Sequence, residues 1–133
     1  MSNLMSTSNK TEIIRSLFGI FEAGPENPIE VSNKFITFLA EDAEFRLGNS
    51  DTIVARKNIC ISLVAFCQQV KSIYHDIKHV WEPEKNVVLL EMEVTYHRLD
   101  GKIVTLPVMD LFRFNNDLIQ ELRIFMDINP LLA

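Results

Sequence analysis

This chain lacks most of the usual handles for chemistry. It has only two cysteines in 133 residues. Cys60 and Cys67 fall about two turns apart on one face of a helical pattern, too far to be bridged. Two reduced thiols fit the cytosol. There is no CxxC pair and no HExxH, and His75, His79 and His97 make no ligand spacing, so no metal is expected. Only four glycines occur, and none are grouped into a phosphate-cradling loop, so no nucleotide cofactor is expected either. Lys and Arg total 13 against 18 Asp and Glu, for a net charge of −5. The basic residues are scattered and form no stripe, so nucleic acid is not an expected partner. No apolar run approaches the roughly 18 residues of a membrane span, so no membrane is expected either. Residues 1–10 are rich in Ser and Asn and lack the basic and apolar regions of a signal peptide. They read as a disordered tail on a cytoplasmic protein, with a single domain over 11–133.

What the chain does have is pattern. Residues 11–23 carry Ile13, Ile14, Leu17, Phe18, Ile20 and Phe21 at helical spacing, with Thr11 as a cap and Gly24-Pro25 as the stop. Asn27-Pro28 opens a second helix that reaches about Ala40. Residues 43–47 read as a short strand. A third helix covers 56–72, with Ile59, Leu63, Phe66 and Val70 inward. Four strands follow, over 75–81, 86–98, 102–114 and 118–127. Their joints are Glu82-Pro83-Glu84-Lys85, Asp100-Gly101 and Asn115-Asn116-Asp117, and Asp-Gly between β-patterned runs is a strong hairpin signal. Helices first and an antiparallel meander after them predict an α+β fold.

Alternation sorts the strand faces. Val88, Leu90, Met92, Val94 and Tyr96 share one face of their strand. Leu106, Val108, Asp110, Phe112 and Phe114 share a face of the next, and Leu122, Ile124 and Met126 a face of the last. The meander therefore has one strongly apolar face with a carboxyl in it. A bare carboxylate is rarely buried without a partner, and a carboxyl in an apolar wall keeps its proton to higher pH. That makes Asp110 a candidate general acid or base. The plain alternative is a structural residue ion-paired to an arginine on a neighbouring strand.

Three helices, a bent sheet and the run Gly101-Lys102-Ile103-Val104-Thr105-Leu106-Pro107-Val108-Met109-Asp110-Leu111-Phe112-Arg113-Phe114 resemble the nuclear-transport-factor-2-like superfamily. Within it the chain is most similar to SnoaL-type polyketide cyclases and ketosteroid isomerase. The helix over 14–24 and the entry Phe38-Leu39-Ala40-Glu41-Asp42-Ala43 belong to the same resemblance, which covers nearly everything from Thr11. It implies three N-terminal helices packed on a strongly bent, cone-shaped antiparallel sheet, and a homodimer formed sheet to sheet. The outer-face residues Met109, Leu111 and Phe125 fit such a contact. The fold hosts enzymes and non-enzymes, so it implies shape more firmly than reaction.

Position by position, the resemblance narrows the chemistry. Asp110 matches the aspartic acid of the isomerase's Pro-x-x-Asp-x-Phe-Arg-Phe strand, which is kept protonated in an oxyanion hole. The isomerase's aspartate base falls at Leu47 and its tyrosine near Leu17, so steroid isomerisation by that mechanism is not expected. Limonene-epoxide hydrolases share the fold and use an Arg-x-Asp pair. Arg98-Leu99-Asp100 repeats it, but at a hairpin tip, and their second aspartate falls at Ile124. The polyketide cyclases imply one carboxyl acid/base in an apolar pocket, without a metal.

The expected site has Asp110 as acid/base, with Tyr96, His75, Trp81, Phe112, Leu122 and Ile124 around a small hydrophobic molecule. Tyr96 and His75 are the polar helpers. The expected function is acid/base isomerisation or cyclisation of a small hydrophobic carbonyl compound. The rivals are a non-catalytic small-molecule binder and an interaction module that uses the open sheet face.

Overall fold

A computed structural model describes residues 9–22 and 27–133. Helix α1 spans Asn9–Glu22 and buries Ile14, Leu17, Phe18 and Phe21, a single i, i+3, i+4, i+7 face. It starts earlier than the expected Thr11. Asn9 donates to Asp117 Oδ1 at 3.1 Å, and Lys10 lies 6.0 Å above the Phe114 ring, so the β-rich end of the chain ties down this first turn. Residues 1–8 of the tail expected over 1–10, and the expected stop at residues 24 and 25, lie outside the described residues, while residues 9 and 10 are helical instead.

Helix α2 spans Pro28–Ile36. Asn27 caps it by accepting from the backbone N–H groups of Ile29 (3.0 Å) and Glu30 (3.2 Å), with Pro28 where a missing donor costs nothing. The helix ends before the expected Ala40 because Leu39 already belongs to strand β1, Leu39–Leu47. Strand β2, Ile53–Val54, is too short to leave a period and pairs with β1. Helix α3, Arg56–Cys67, stops short of residue 72, and Val70 begins strand β3, which runs to Glu84. The β-branched and aromatic residues Val70, Ile73 and Tyr74 fit a strand better than a helix.

The remaining strands are β4 (Val87–Arg98), β5 (Ile103–Asn115) and β6 (Leu118–Phe125), followed by a short helix α4 (Asn129–Leu132). The turn into β4 is Lys85-Asn86 rather than 82–85, with Asn86 at φ +67°, a conformation asparagine tolerates. Pro83 stays inside β3 because β3 is the edge of the six-stranded order β2-β1-β6-β5-β4-β3. β3 through β6 form the expected antiparallel meander. The β1–β6 pairing is parallel, so the sheet is mixed rather than purely antiparallel. None of the described helices is long and apolar enough to cross a membrane. The core lies between α1–α3 and the inward residues of β4–β6, with Val88, Leu90 and Phe112 fully buried.

Candidate functional site

The sheet's curl makes the site. Asp110 pairs with Leu90, and Tyr96 with Val104. In a flat sheet these two inner-face residues would lie about 20 Å apart along the strands. Yet Asp110 and Tyr96 line one cavity, and the charge on ionised Asp110 acts on the tyrosine. The β4–β5 ladder therefore bends back over itself, and the helices close the open side.

That cavity has a volume of about 100 Å³. Helices α1 and α2 supply Leu17, Phe18, Phe21 and Phe35, and α3 supplies Ser62, Leu63 and Phe66. The sheet supplies Phe45 and Leu47 from β1, Ile73 and His75 from β3, and Tyr96, Asp110, Leu122 and Ile124 from the meander. Among the described residues the lining contains no lysine or arginine.

Asp110 is 3% exposed, and its Oδ1 has no hydrogen-bond partner among the described residues. No ion pair to it occurs among them either, so the arginine-paired alternative does not hold. Burial without compensation raises its pKa to about 8. At neutral pH the group is mostly a carboxylic acid and can donate a hydrogen bond to an oxygen placed in the cavity.

Tyr96 donates its hydroxyl hydrogen bond to a weak acceptor, Met126 Sδ, at 3.4 Å. Burial first, then the charge of Asp110, pushes its pKa upward, so it stays a neutral phenol. His75 stacks flat on Phe18 at 3.8 Å between ring centroids, with planes 3° apart. Its Nδ1 is buried without a hydrogen bond among the described residues, and Glu22 Oε2 lies 4.0 Å away. That separation alone would pass for an ion pair. Burial lowers the imidazole to about 4, however, so at neutral pH the ring carries no charge and no ion pair forms. The site thus holds an acid in its protonated form and a base in its free form.

Five expected site residues come together here: Asp110, Tyr96, His75, Leu122 and Ile124. Two do not. Trp81 is 46% exposed and stacks on His79 at 5.5 Å. Irregular pairing between Ile77 and His79 inserts one residue, so the phase that points Ile73, His75 and Ile77 inward turns Trp81 outward. Phe112 does face inward but is sealed behind the lining, edge-on to Phe18 at 6.2 Å and beside Phe114 at 6.3 Å, with no surface left for a ligand. Sequence reasoning missed Phe45, Ser62 and Phe66. Helical spacing had put Phe66 on an inward face, but no local signal separates a cavity wall from ordinary core. Leu17, Leu47 and Ile124, the positions at which the isomerase and hydrolase resemblances would have placed catalytic groups, all line the cavity and are all apolar.

A bent sheet closed by helices around a buried carboxyl is a nuclear-transport-factor-2-like fold, and solved structures bear this out. A protein from Jannaschia sp. CCS1, provisionally assigned as a SnoaL-like polyketide cyclase, superposes with a TM-score of 0.75 at 12% identity, over 99% of this chain and 95% of that one. TerC, co-crystallised with polyporic acid, gives 0.74 at 13% identity over 94% and 96%. A ketosteroid-isomerase-like protein from Catenulispora acidiphila DSM 44928, in complex with trimethylamine, gives 0.70 at 15% identity over 88% and 86%. At these identities the likeness establishes the fold. No curated protein matches the chain by sequence. The SnoaL-like domain profile matches residues 30–122, more than half of the chain, and the protein belongs to that family.

Proposed function

We propose that this SnoaL-like protein binds a small hydrophobic carbonyl compound beside Asp110 and moves a proton on it by general acid–base chemistry, as an isomerase or cyclase. One observation carries the reading: a carboxyl with no counter-charge, held as an acid near neutral pH, in the wall of an apolar cavity. Its proton is placed to meet a carbonyl oxygen and to stabilise the enolate that forms when a neighbouring C–H proton leaves. His75, neutral in the same cavity, is the available acceptor for that proton. The polyketide-cyclase assignment of the Jannaschia protein supports the same class of chemistry. No step needs a metal or a nucleotide.

The test is a thermal-shift screen of small carbonyl compounds on the native protein and on Asp110→Asn. It is followed by NMR of deuterium exchange at the carbon next to the carbonyl. The expected result is exchange that falls at least about 100-fold in the variant, the usual worth of a placed acid or base. Binding without any exchange would instead establish the non-catalytic binder, a reading favoured by the apolar residues at Leu17 and Leu47.

We also propose that the working form is a cytoplasmic homodimer joined through the outer sheet face. That face carries a broad concavity lined by Leu89, Pro107, Met109 and Phe125, with Lys78, Glu91 and Glu93 offering both signs of charge to a second copy. Light scattering that gives a 15.3 kDa particle at tens of micromolar would reject the dimer.

A further inference from the structure

The cavity's size and charge narrow the substrate beyond the reading above, on which this step rests. We infer that the Asp110 cavity selects an uncharged carbonyl compound no larger than one six-membered ring, and rejects fused multi-ring skeletons. The first argument is volume. The space is about 100 Å³, whereas an apolar cavity of roughly 150 Å³ is the scale that takes up benzene. One six-membered ring is therefore the upper limit of what the space takes, and a second fused ring would have to lie outside it.

The second argument is that the walls brace one another. Phe21 meets Phe35 edge-on at 5.7 Å, and Phe35 meets Phe45 edge-on at 6.5 Å. These rings come from α1, α2 and β1. Phe18 is pinned between the flat face of His75 and the edge of the fully buried Phe112. Widening the space for a larger guest means moving rings on several elements together, in an interior packed like a crystal.

Charge supplies the third argument. With no lysine or arginine in the lining and a neutral imidazole, an anionic guest would be buried beside a carboxyl with no positive partner. A cationic guest would require Asp110 to surrender its proton. A neutral guest with one acceptor oxygen leaves no charge unpaired and gives the lone acid a partner.

The experiment measures dissociation constants by calorimetry at pH 6.5 for a graded panel. The panel is 2-cyclohexenone, 1-tetralone, a four-ring steroid enone, cyclohexene, cyclohexanecarboxylate and cyclohexylammonium. It is run on the native protein, on Asp110→Asn and on Phe66→Ala, which removes one wall ring. The expected result is that 2-cyclohexenone binds, 1-tetralone at least tenfold more weakly, and the steroid and both ions not measurably. Phe66→Ala is expected to narrow the gap between one and two rings. Should that variant fail to fold, the ring series on the native protein decides alone. Two-ring or four-ring ketones binding as tightly as the one-ring ketone, in an Asp110-dependent way, overturn the size limit and leave the acid–base reading standing. One-ring ketone and cyclohexene binding equally, with no loss in Asp110→Asn, sink the acid–base reading while the size limit survives. Tighter binding of cyclohexylammonium than of the ketone overturns the claim of a neutral guest. Absence of binding across the panel overturns both readings.

Discussion

Strand β5 places two different electrostatic problems side by side. Its inward residue Asp110 is 3% exposed and has no counter-charge, while its outward residue Arg113 lies 2.9 Å from Glu121 and 3.4 Å from Glu84 in contact with water. The outer face deals with charge by pairing and hydration. The inner face offers neither, so at neutral pH Asp110 holds its proton and His75 stays uncharged. A sheet that alternates every second residue can thus keep a solvated surface on one side and a reactive, uncharged acid–base pair on the other. The predictions below probe that contrast.

The largest difference is expected between aromatic residues on the two faces. Phe112 is fully buried, whereas Phe125 is 47% exposed. Phe112→Ala is expected to cost about 3–5 kcal/mol in urea unfolding. Phe125→Ala in the monomer is expected to stay within about 0.5 kcal/mol. Equal costs for the two would mean that the faces are not what they look like.

The titration of the inner pair comes next. Asp110 has a folded pKa raised from 3.8 to about 8, so its contribution to stability is fully present below 3.8 and is lost as pH rises towards 8. His75 is lowered from 6.5 to about 4, so its contribution is present above 6.5 and is lost as pH falls towards 4. The slopes are opposite, each about 1.4 kcal/mol per pH unit, and they offset between about 4 and 6.5. Native stability minus that of Asp110→Asn should therefore fall by about 1.4 kcal/mol per pH unit from pH 6.5 to 8. His75→Phe keeps a ring against Phe18 and removes the opposing slope, so its stability should decline with rising pH from about 4 onward. A pH-independent difference for Asp110→Asn would mean that Asp110 is ionised and compensated after all.

How much of this was legible in the sequence follows the same division. Period-2 alternation in β4, β5 and β6 put Asp110 on the inner face, because one buried face fixes strand register. Tyr96, Leu122 and Ile124 came with it. Alternation gave no guide in β3, where an inserted residue shifts the phase and turns Trp81 outside. It also failed at element ends. The amide of Ile119 bonds to Phe38 O at 2.8 Å, drawing the chain out of α2 just where its apolar spacing still reads as helix. The parallel β1–β6 pairing and the cavity itself are products of tertiary curvature, and no local pattern encodes them. Asp110 read as buried from its neighbours alone, with ion pairing left open, but Phe45, Ser62 and Phe66 become wall residues only once distant elements meet.

The smallest effect should belong to the outer face. The side chains of Arg113, Glu121 and Glu84 are 48%, 24% and 68% exposed. An exposed pair gives back most of its Coulomb energy in side-chain entropy and screening, leaving about 0–1 kcal/mol. A double-mutant cycle with Arg113→Ala and Glu121→Ala is expected to give a coupling inside that range, shrinking further in 1 M salt, where charges are screened within roughly 3 Å. The measurement also bears on the proposed dimer. A partner sheet that reached Arg113 would remove water from the pair, and removing one member of a desolvated pair costs about 3–5 kcal/mol. A cost of that size, appearing only at concentrations where light scattering finds a dimer, would put this part of the outer face inside the interface. A small coupling at every concentration would confine the interface to the concavity around Met109 and Phe125.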